Sequence, residues 1–422
     1  LARRKLKILG LLTRNPFDRA SGRKGVLKTI IRSLNELGHR LDLVIFDKTR
    51  PKNIPYSGYV DWVQPPSLIE VAINLLRFFS QDRMSMNECL YFSKRNLQRI
   101  KEVSYRRDHD IVIADMIRTA PYACHLGVPW YLDLDDLLST RYARYSLNRT
   151  AGKHFLGYYG DWVPKILGKS MNHLMRYLIK KEIKVLSLQE IKWAKRAALV
   201  SLVSNEEAAA LEEMINKPVL CMPMSVAVPS RILFKGPLDR SSNAVFLGGL
   251  DYQPNLDALR FFHHNVRPWL ESLGNNRFAL DVIGFCPEAV RKEFESSCIK
   301  FRGYADNLYE ELSQYSLFLA PIVSGSGVKT KVLEAMAVGL PVLTTSNGVS
   351  GLQLKDGFHC VIRDKPEEIA RMIISMMSNQ DFLQYLSVNG YHYVLENYSF
   401  DVMKRRWEKA LDLMMEKRIL AE

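Results

Sequence analysis

The 422-residue sequence is poor in the features that define several protein classes. Its cysteines (Cys89, Cys124, Cys221, Cys286, Cys298 and Cys360) are scattered singly, with no C-x-x-C pair and no histidine-rich neighbourhood. That spacing suggests neither a zinc site nor a disulfide framework, and it fits a reducing compartment. No apolar run reaches the ~18 residues of a membrane-spanning helix. The nearest, Ser67 to Phe79, carries Glu70 and Arg77. A transmembrane chain is not expected, whereas a peripheral one is compatible. No secretory leader is expected either, because the basic start LARRKLKILGLL, which has no initiator Met, runs straight into a β-type segment. With 47% hydrophobic and 25% charged residues, the composition is that of a globular protein rather than a disordered or collagen-like one. Acidic residues are short in one half only. Residues 1–230 hold 37 basic and 22 acidic side chains, and residues 231–422 hold 22 and 23, so the net charge of +14 belongs to the first half. An anionic macromolecular partner should meet that half, and the second must owe its function to something else.

Short β-branched or aliphatic runs alternate with helical-period segments nearly throughout. Strands are expected near Lys7–Leu12, Arg40–Phe46, Ile111–Ala114, Trp130–Leu134 and Leu199–Val203. They are expected again near Ala244–Leu247, Ala279–Ile283, Ile299–Arg302, Leu317–Pro321, Pro341–Thr344 and His359–Ile362. A helix over Gly25–Leu37 follows from the stripe of Val26, Leu27, Ile30, Ile31, Leu34 and Leu37, with Gly38 as its C-cap. Such alternation predicts an α/β protein with parallel sheets covered on both faces. The proline-rich, aperiodic stretch Met222–Pro237 divides it into domains over 1–225 and 226–400. Residues 151–197 fit the alternation poorly and read as a helical insertion. Its Phe155, Tyr158, Tyr159 and Trp162, beside Lys180, Lys181 and Lys184, form either an interfacial foot on a membrane or ordinary core packing.

The most informative stretch is Ala320–Leu352, in which a strand leads through the Gly325-Ser326-Gly327 turn into a helix expected to begin near Val328 and stop at Gly339. A strand–glycine turn–helix unit points unpaired N–H groups and the positive end of a helix dipole at one spot. Lys329 and Lys331 add positive charge in the first turn, where it is locally unfavourable unless an anion such as a diphosphate sits in front. The Walker pattern fails at Ile322 and Val328, and G-x-G-x-x-G fails at Thr330. Glu334, embedded among Val332, Leu333, Ala335, Met336 and Ala337, needs a partner if buried. It accepts hydrogen bonds from vicinal sugar hydroxyls, or it is solvated or paired with Lys331.

The run L-E-A-M-A-V-G-L-P-V at residues 333–342, followed by Thr344-Thr345, Gly348 and Gly351, resembles the donor-site signature of retaining, family-4-like glycosyltransferases of the GT-B fold. The resemblance implies two doubly wound Rossmann-like domains facing across a cleft, with a final helix over 401–422 crossing back to the first domain, as Tyr398–Met415 suggests. It assigns the donor ribose to Glu334. The family's first glutamate, which contacts the donor sugar, is Ser326 here. The G-S-G-x-K-x-K form is similar to that of a bacterial subgroup active in surface-polysaccharide assembly (exopolysaccharide or lipopolysaccharide). Val245–Asn255 (VFLGGLDYQPN) resembles the opening of the second domain, with Gly249 near the position of a diphosphate-binding arginine whose charge Lys329 or Lys331 takes over. Leu280–Gly284 and Phe301–Asp306 resemble the loops flanking the base, which implies base contacts near Gly284 and Tyr304. The donor would also meet Ser326, Gly327 and Val328, whose N–H groups with Lys329 and Lys331 stabilise the leaving diphosphate.

In the first domain Gly22 and Gly25 of GRKG are expected to approach the sugar–phosphate, or to form an ordinary turn. In Pro129–Tyr142, Asp135 stands where many relatives have a histidine facing the donor sugar, and the subgroup often has an aspartate at Asp136. In a continued strand Asp133 and Asp135 share a face, and Asp136 lies opposite or caps the next helix. The Asp133-Leu134-Asp135 triplet also admits a metal-dependent reading, disfavoured by the second-domain signature. The expected activity is hexosyl transfer without metal or cofactor, from a UDP- or GDP-linked sugar to a glycan or polyprenyl-diphosphate-linked saccharide. Asp135, Asp136, Lys331 and Glu334 are the candidate catalytic residues. The basic half is expected to lie on an anionic membrane surface at the inner face of the cytoplasmic membrane. A sugar-nucleotide epimerase or phosphorylase of the same fold is the alternative. A nucleic-acid-binding protein is a weaker one, since no binding motif accompanies the charge.

Overall fold

The computed structural model describes residues 4–17, 22–47, 50–51, 54–81, 83–147, 169–236, 244–276, 278–294, 298–325 and 327–419. Ser326 and the aromatic residues Phe155, Tyr158, Tyr159 and Trp162 lie outside the described residues. The chain forms two compact units, one of residues 1–224 with 403–422 and one of residues 225–402.

In the first unit the strands are β1 (Lys7–Leu12), β2 (Arg40–Phe46), β3 (Val60–Val63), β4 (Ile111–Asp115), β5 (Trp130–Asp133), β6 (Leu199–Leu202) and β7 (Leu220–Cys221). They form a seven-stranded sheet in the order β3-β2-β1-β4-β5-β6-β7, parallel throughout. The near-continuous aliphatic composition of β1, β2 and β4 is what a strand covered on both faces requires, and their residues are almost all buried. The strand order reverses between β1 and β4, which opens a crevice at their carboxyl ends. In the second unit β8 (Ala244–Leu247), β9 (Leu280–Ile283), β10 (Ile299–Gly303), β11 (Leu317–Ala320), β12 (Val342–Thr344) and β13 (Val361–Ile362) form a parallel sheet in the order β10-β9-β8-β11-β12-β13. Its switch point lies between β8 and β11.

Residues 169–196 form one helix of 28 residues, whose Ile179, Val185, Leu186, Trp193 and Ala194 enter the first unit's core. Its Glu182 accepts from the N–H groups of Met86 (2.6 Å) and Asn87 (3.1 Å), and its Trp193 Nε1 donates to Glu88 (2.7 Å). The described part of the anticipated insertion is therefore helical and packed into the core. The helix over Phe400–Ile419 belongs to the first unit by its packing: Trp407 is buried against Tyr131, with ring centroids 5.0 Å apart, beside Met403, Ala410, Leu411 and Met414. Unlike these, the helix Leu68–Gln81 buries only Val71, Asn74 and Phe78, and turns an apolar face outward.

Candidate functional site: two strand-end crevices

At the switch point of the second sheet, the loops after β8, β9 and β11 meet. Gly248 N donates to Ile283 O (2.8 Å), Gly284 N to Gly303 O (2.7 Å) and Leu250 N to Phe285 O (2.8 Å). These contacts exist only because two residues lack a side chain. A Cβ on Gly284, at φ +136°, would stand 2.7 Å from the Gly248 carbonyl carbon, and one on Gly248 would stand 2.8 Å from Lys331 Nζ. The helix after β11 begins at Thr330, with Lys329 as its N-cap, two residues beyond the expected start. The turn before it uses positive φ at Gly325 and Gly327.

Lys331 does not project into solvent from the first turn. Its ammonium donates to Asn255 Oδ1 and lies 4.4 Å from the centre of the Phe246 ring, while Asn255 Nδ2 donates to Gly249 O (2.7 Å). Burial lowers the Lys331 pKa to about 7, against the favourable pull of Glu334. Lys329 Nζ donates back to Gly327 O (2.7 Å). Glu334, half-buried on the same helix, accepts no hydrogen bond from any described residue. Burial raises its pKa, and Lys331 only partly opposes this. Gly249 and Val328 sit in the flanking loops. Tyr304 follows β10 and is largely exposed, so the chain brings Gly284 and Tyr304 to the ends of neighbouring strands.

The first unit's crevice holds a buried ionic cluster. The helix at GRKG opens at Arg23, two residues before the expected start, with Gly22 as N-cap at φ +49°. Arg23 is buried there. Its guanidinium bonds Asp115 (2.7 Å) at the end of β4, Asp133 (2.7 Å) at the end of β5, and Asp135 (3.0 Å) beyond it. Asp115 also accepts from Thr13 N (2.7 Å) and Oγ1 (2.5 Å) after β1. The strand ends at Asp133, and Asp135 takes the left-handed conformation at φ +67°, yet both carboxylates reach one side through their shared arginine. Arg23 thus occupies the space between the carboxylates of the Asp-Leu-Asp triplet. Asp136 is not bonded to Arg23, although it feels Asp135 and Arg23 electrostatically. Its Oδ2 lies 3.1 Å from Arg141, while its Oδ1 is buried without a partner, and burial raises its pKa to about 6. Gly25 lies in the first turn of the same helix. Two further arginines border the cluster. Arg118 lies over Tyr91 and donates to Asn87 Oδ1 (2.9 Å), and Arg14, beyond β1, feels its repulsion.

Sequence reasoning attaches no role to Arg23, Asp115, Asn255, Arg14 or Arg118. Arg23 lies inside a motif that draws attention to its glycines, and its partners are about 90 to 110 residues away, so no local pattern marks the cluster.

These two parallel-sheet Rossmann-like units constitute the fold of the GT-B glycosyltransferases, and residues 241–379 match the family model described as glycosyl transferases group 1. By structure the chain is similar to sucrose-phosphate synthase from Thermosynechococcus elongatus (TM-score 0.66, 13% identity, covering 97% of this chain and 100% of that one). It is also similar to Anabaena HepE in complex with UDP (TM-score 0.59, 13% identity, 96% and 100% covered). By sequence it is 27% identical over 165 residues to an uncharacterized 44.6 kDa protein in the cps region of Klebsiella pneumoniae. That match spans 37% of this chain and 42% of the relative's length.

Proposed function

We propose that the protein is a glycosyltransferase that moves a hexosyl group, with retention and without a metal, from a nucleoside-diphosphate sugar to a glycan or lipid-linked saccharide in surface-polysaccharide synthesis. The observation that carries this reading is the Lys331–Glu334 turn at the switch point of the second sheet, a cation and an unsatisfied carboxylate one helical turn apart beside a strand–glycine loop. A half-buried carboxylate that the described residues give no donors gains from a ligand that supplies them, and the vicinal ribose hydroxyls supply two. When the anomeric C–O bond lengthens, negative charge grows on the leaving diphosphate. Lys331, Lys329 and the N–H groups of the Gly325–Val328 turn are suited to stabilise that charge more than the ground state. The leaving phosphate then takes the acceptor's proton as the acceptor oxygen attacks from the same face. In the first unit Asp136, whose side chain keeps 12% of its surface exposed, is suited to accept a hydrogen bond from an acceptor hydroxyl through the oxygen beside Arg141, while Asp135 is held by Arg23.

The UDP bound by the Anabaena protein supports a UDP-sugar as donor, and the location of the Klebsiella relative in a cps region supports a surface-polysaccharide acceptor. A GDP-sugar is the competing donor. The acceptor, if linked to a polyprenyl diphosphate, is met at an anionic membrane surface on the cytoplasmic side, toward which the basic first half is directed. Glu334→Ala tests the assignment. Screening UDP- and GDP-sugars by thermal shift should identify the donor, and the variant should lose at least 100-fold in transfer while remaining folded. It should also lose the wild-type preference for the ribose form of the nucleotide over its 2′,3′-dideoxy analogue. Wild-type transfer rates in Glu334→Ala would refute the assignment, and isomerisation of donor incubated alone would point instead to an epimerase.

A further inference from the structure

The helix Leu68–Gln81 (LIEVAINLLRFFSQ) is apolar on both sides. One side, Val71, Asn74 and Phe78, is buried in the first unit, and Asn74 Nδ2 ties it down by donating to Phe92 O (2.8 Å). The opposite side carries Ile69, Ala72, Ile73, Leu76 and Phe79, spaced i, i+3, i+4, i+7 and i+10, with Leu68 at its start. All are exposed: Ile69 by 74%, Leu76 by 67%, Ile73 by 51% and Phe79 by 50%. A surface helix normally turns charged residues outward. Here the charged residues, Glu70 and Arg77, stand on one flank, seven residues apart, and Glu70 accepts from Ser93 Oγ (2.6 Å). The stripe is about 17 Å long at the helical rise.

Positive charge borders both ends. Near the amino end, exposed Lys94 and Arg95 follow the Ser93 that binds Glu70. At the carboxyl end, Lys181 of the 169–196 helix donates to Phe79 O (3.1 Å) and lies 5.3 Å from the Phe78 ring centre. Lys181 shares a face of its helix with exposed Lys180 and Lys184, and with exposed Tyr177 and Leu188. No helix among the described residues is long and apolar enough to cross a membrane, and an apolar stripe bordered by basic residues is the pattern of a helix suited to the interface plane. A second copy of the chain is a poorer occupant, because a two-fold contact would set the basic borders of the two copies against one another.

We propose that the 68–81 helix is the membrane-docking element of this protein, lying in the interface of an anionic bilayer with Ile69, Ile73, Leu76 and Phe79 among the acyl chains and Lys94, Arg95, Lys180 and Lys184 on the headgroups. The inference rests on the lipid-linked acceptor proposed above, and it gives the position of the contact. It places a contact on a helix that the sequence marks only as too short to span.

Flotation of the whole chain with phosphatidylcholine vesicles containing 30% phosphatidylglycerol, against pure phosphatidylcholine, tests it. The wild type should bind the anionic vesicles, more weakly as salt rises. The Ile69→Ser/Ile73→Ser/Leu76→Ser variant should bind them at least tenfold less, with unchanged melting temperature and nucleotide affinity. Ile73→Trp should show blue-shifted emission on vesicles, quenched by brominated acyl chains. Equal flotation of the triple variant, or an unshifted Ile73→Trp spectrum, would overturn the proposal. So would a wild-type dimer in solution that the triple variant abolishes. Nucleotide-sugar titration of the same samples separates the two readings: failure to bind any donor sinks glycosyl transfer and leaves the docking result standing.

Discussion

Lys331 couples donor binding to pH in a way that can be worked out. In the free protein its pKa is lowered to about 7, chiefly by burial, so above neutrality the ammonium is progressively lost. A diphosphate brought beside it restores the charged form, returning the pKa toward its ordinary value of about 10.5. Binding then takes up roughly 0.5 proton at pH 7 and about 0.9 at pH 8, and affinity should fall about 15-fold between pH 7 and pH 8.5. Calorimetric titration of the nucleotide sugar in buffers of different ionisation enthalpy reads both quantities, and a sugar diphosphate diester has no phosphate group of its own titrating there. Lys331→Met should abolish the uptake and flatten the affinity profile. The stability of the free protein runs the other way. A lysine whose folded pKa is depressed is a penalty below that pKa, relieved as pH rises toward the unfolded value, so Lys331→Met should gain stability over the wild type at pH 7 and lose that advantage toward pH 10. An affinity that is flat from pH 7 to 8.5, or proton uptake that persists in Lys331→Met, would refute the coupling.

Three further outcomes follow from the geometry. Arg23→Met leaves Asp115, Asp133 and Asp135 facing one another in a buried site, and should cost about 3–5 kcal/mol in denaturant unfolding at pH 7. That loss should shrink as pH falls and the carboxylates protonate; a loss below about 1 kcal/mol would show the cluster to be solvated. Gly284→Ala places a Cβ 2.7 Å from the Gly248 backbone at a positive φ, so it should destabilise by about 1–3 kcal/mol and weaken nucleotide binding at least tenfold. Unchanged binding in a titration would show that the two loops move independently. Asp136→Asn removes the group that titrates at about 6, so the acid limb of the transfer pH profile near that value should disappear, a result read from initial rates between pH 5 and 8.

Most of the sheet order's raw material is legible because buried parallel strands advertise themselves as continuous aliphatic runs; β1 and β2 begin and end at the residues their composition indicates. β3 is hidden because VDWV is short and follows a proline- and glycine-containing segment. Its Asp61, which interrupts the apolar pattern, is paired in the fold with Arg99. β7 is two residues long and carries no period at all. The second-unit loop is visible from its glycines and lysines, since small residues before a helix constrain the backbone locally. The direction of Lys331 is not, because its partners Asn255 and Phe246 come from a segment some eighty residues earlier. The same limit hides the Arg23 cluster: sequence spacing marks which residues share a face, but only the assembled sheet says that the ends of β4 and β5 share an arginine. Hydrophobicity alone likewise leaves the 68–81 helix as an ordinary short apolar run, because burial of one face and exposure of the other depend on its neighbours.

The division of the chain into one continuous and one discontinuous unit constrains the order in which the protein is made. Residues 225–402 leave the ribosome as a single stretch able to complete its own core. The first unit, although its sheet is synthesised earlier, lacks Trp407, Leu411 and Met414 until the 400–419 helix emerges, and these side chains cover Tyr131 and the adjoining face of the sheet. Domains usually mature in the order of synthesis. Here the amino-terminal sheet must wait, with the part of one apolar face around Tyr131 uncovered, while the domain encoded after it folds. A chaperone that holds the nascent chain should therefore release it only after the last helix has been translated.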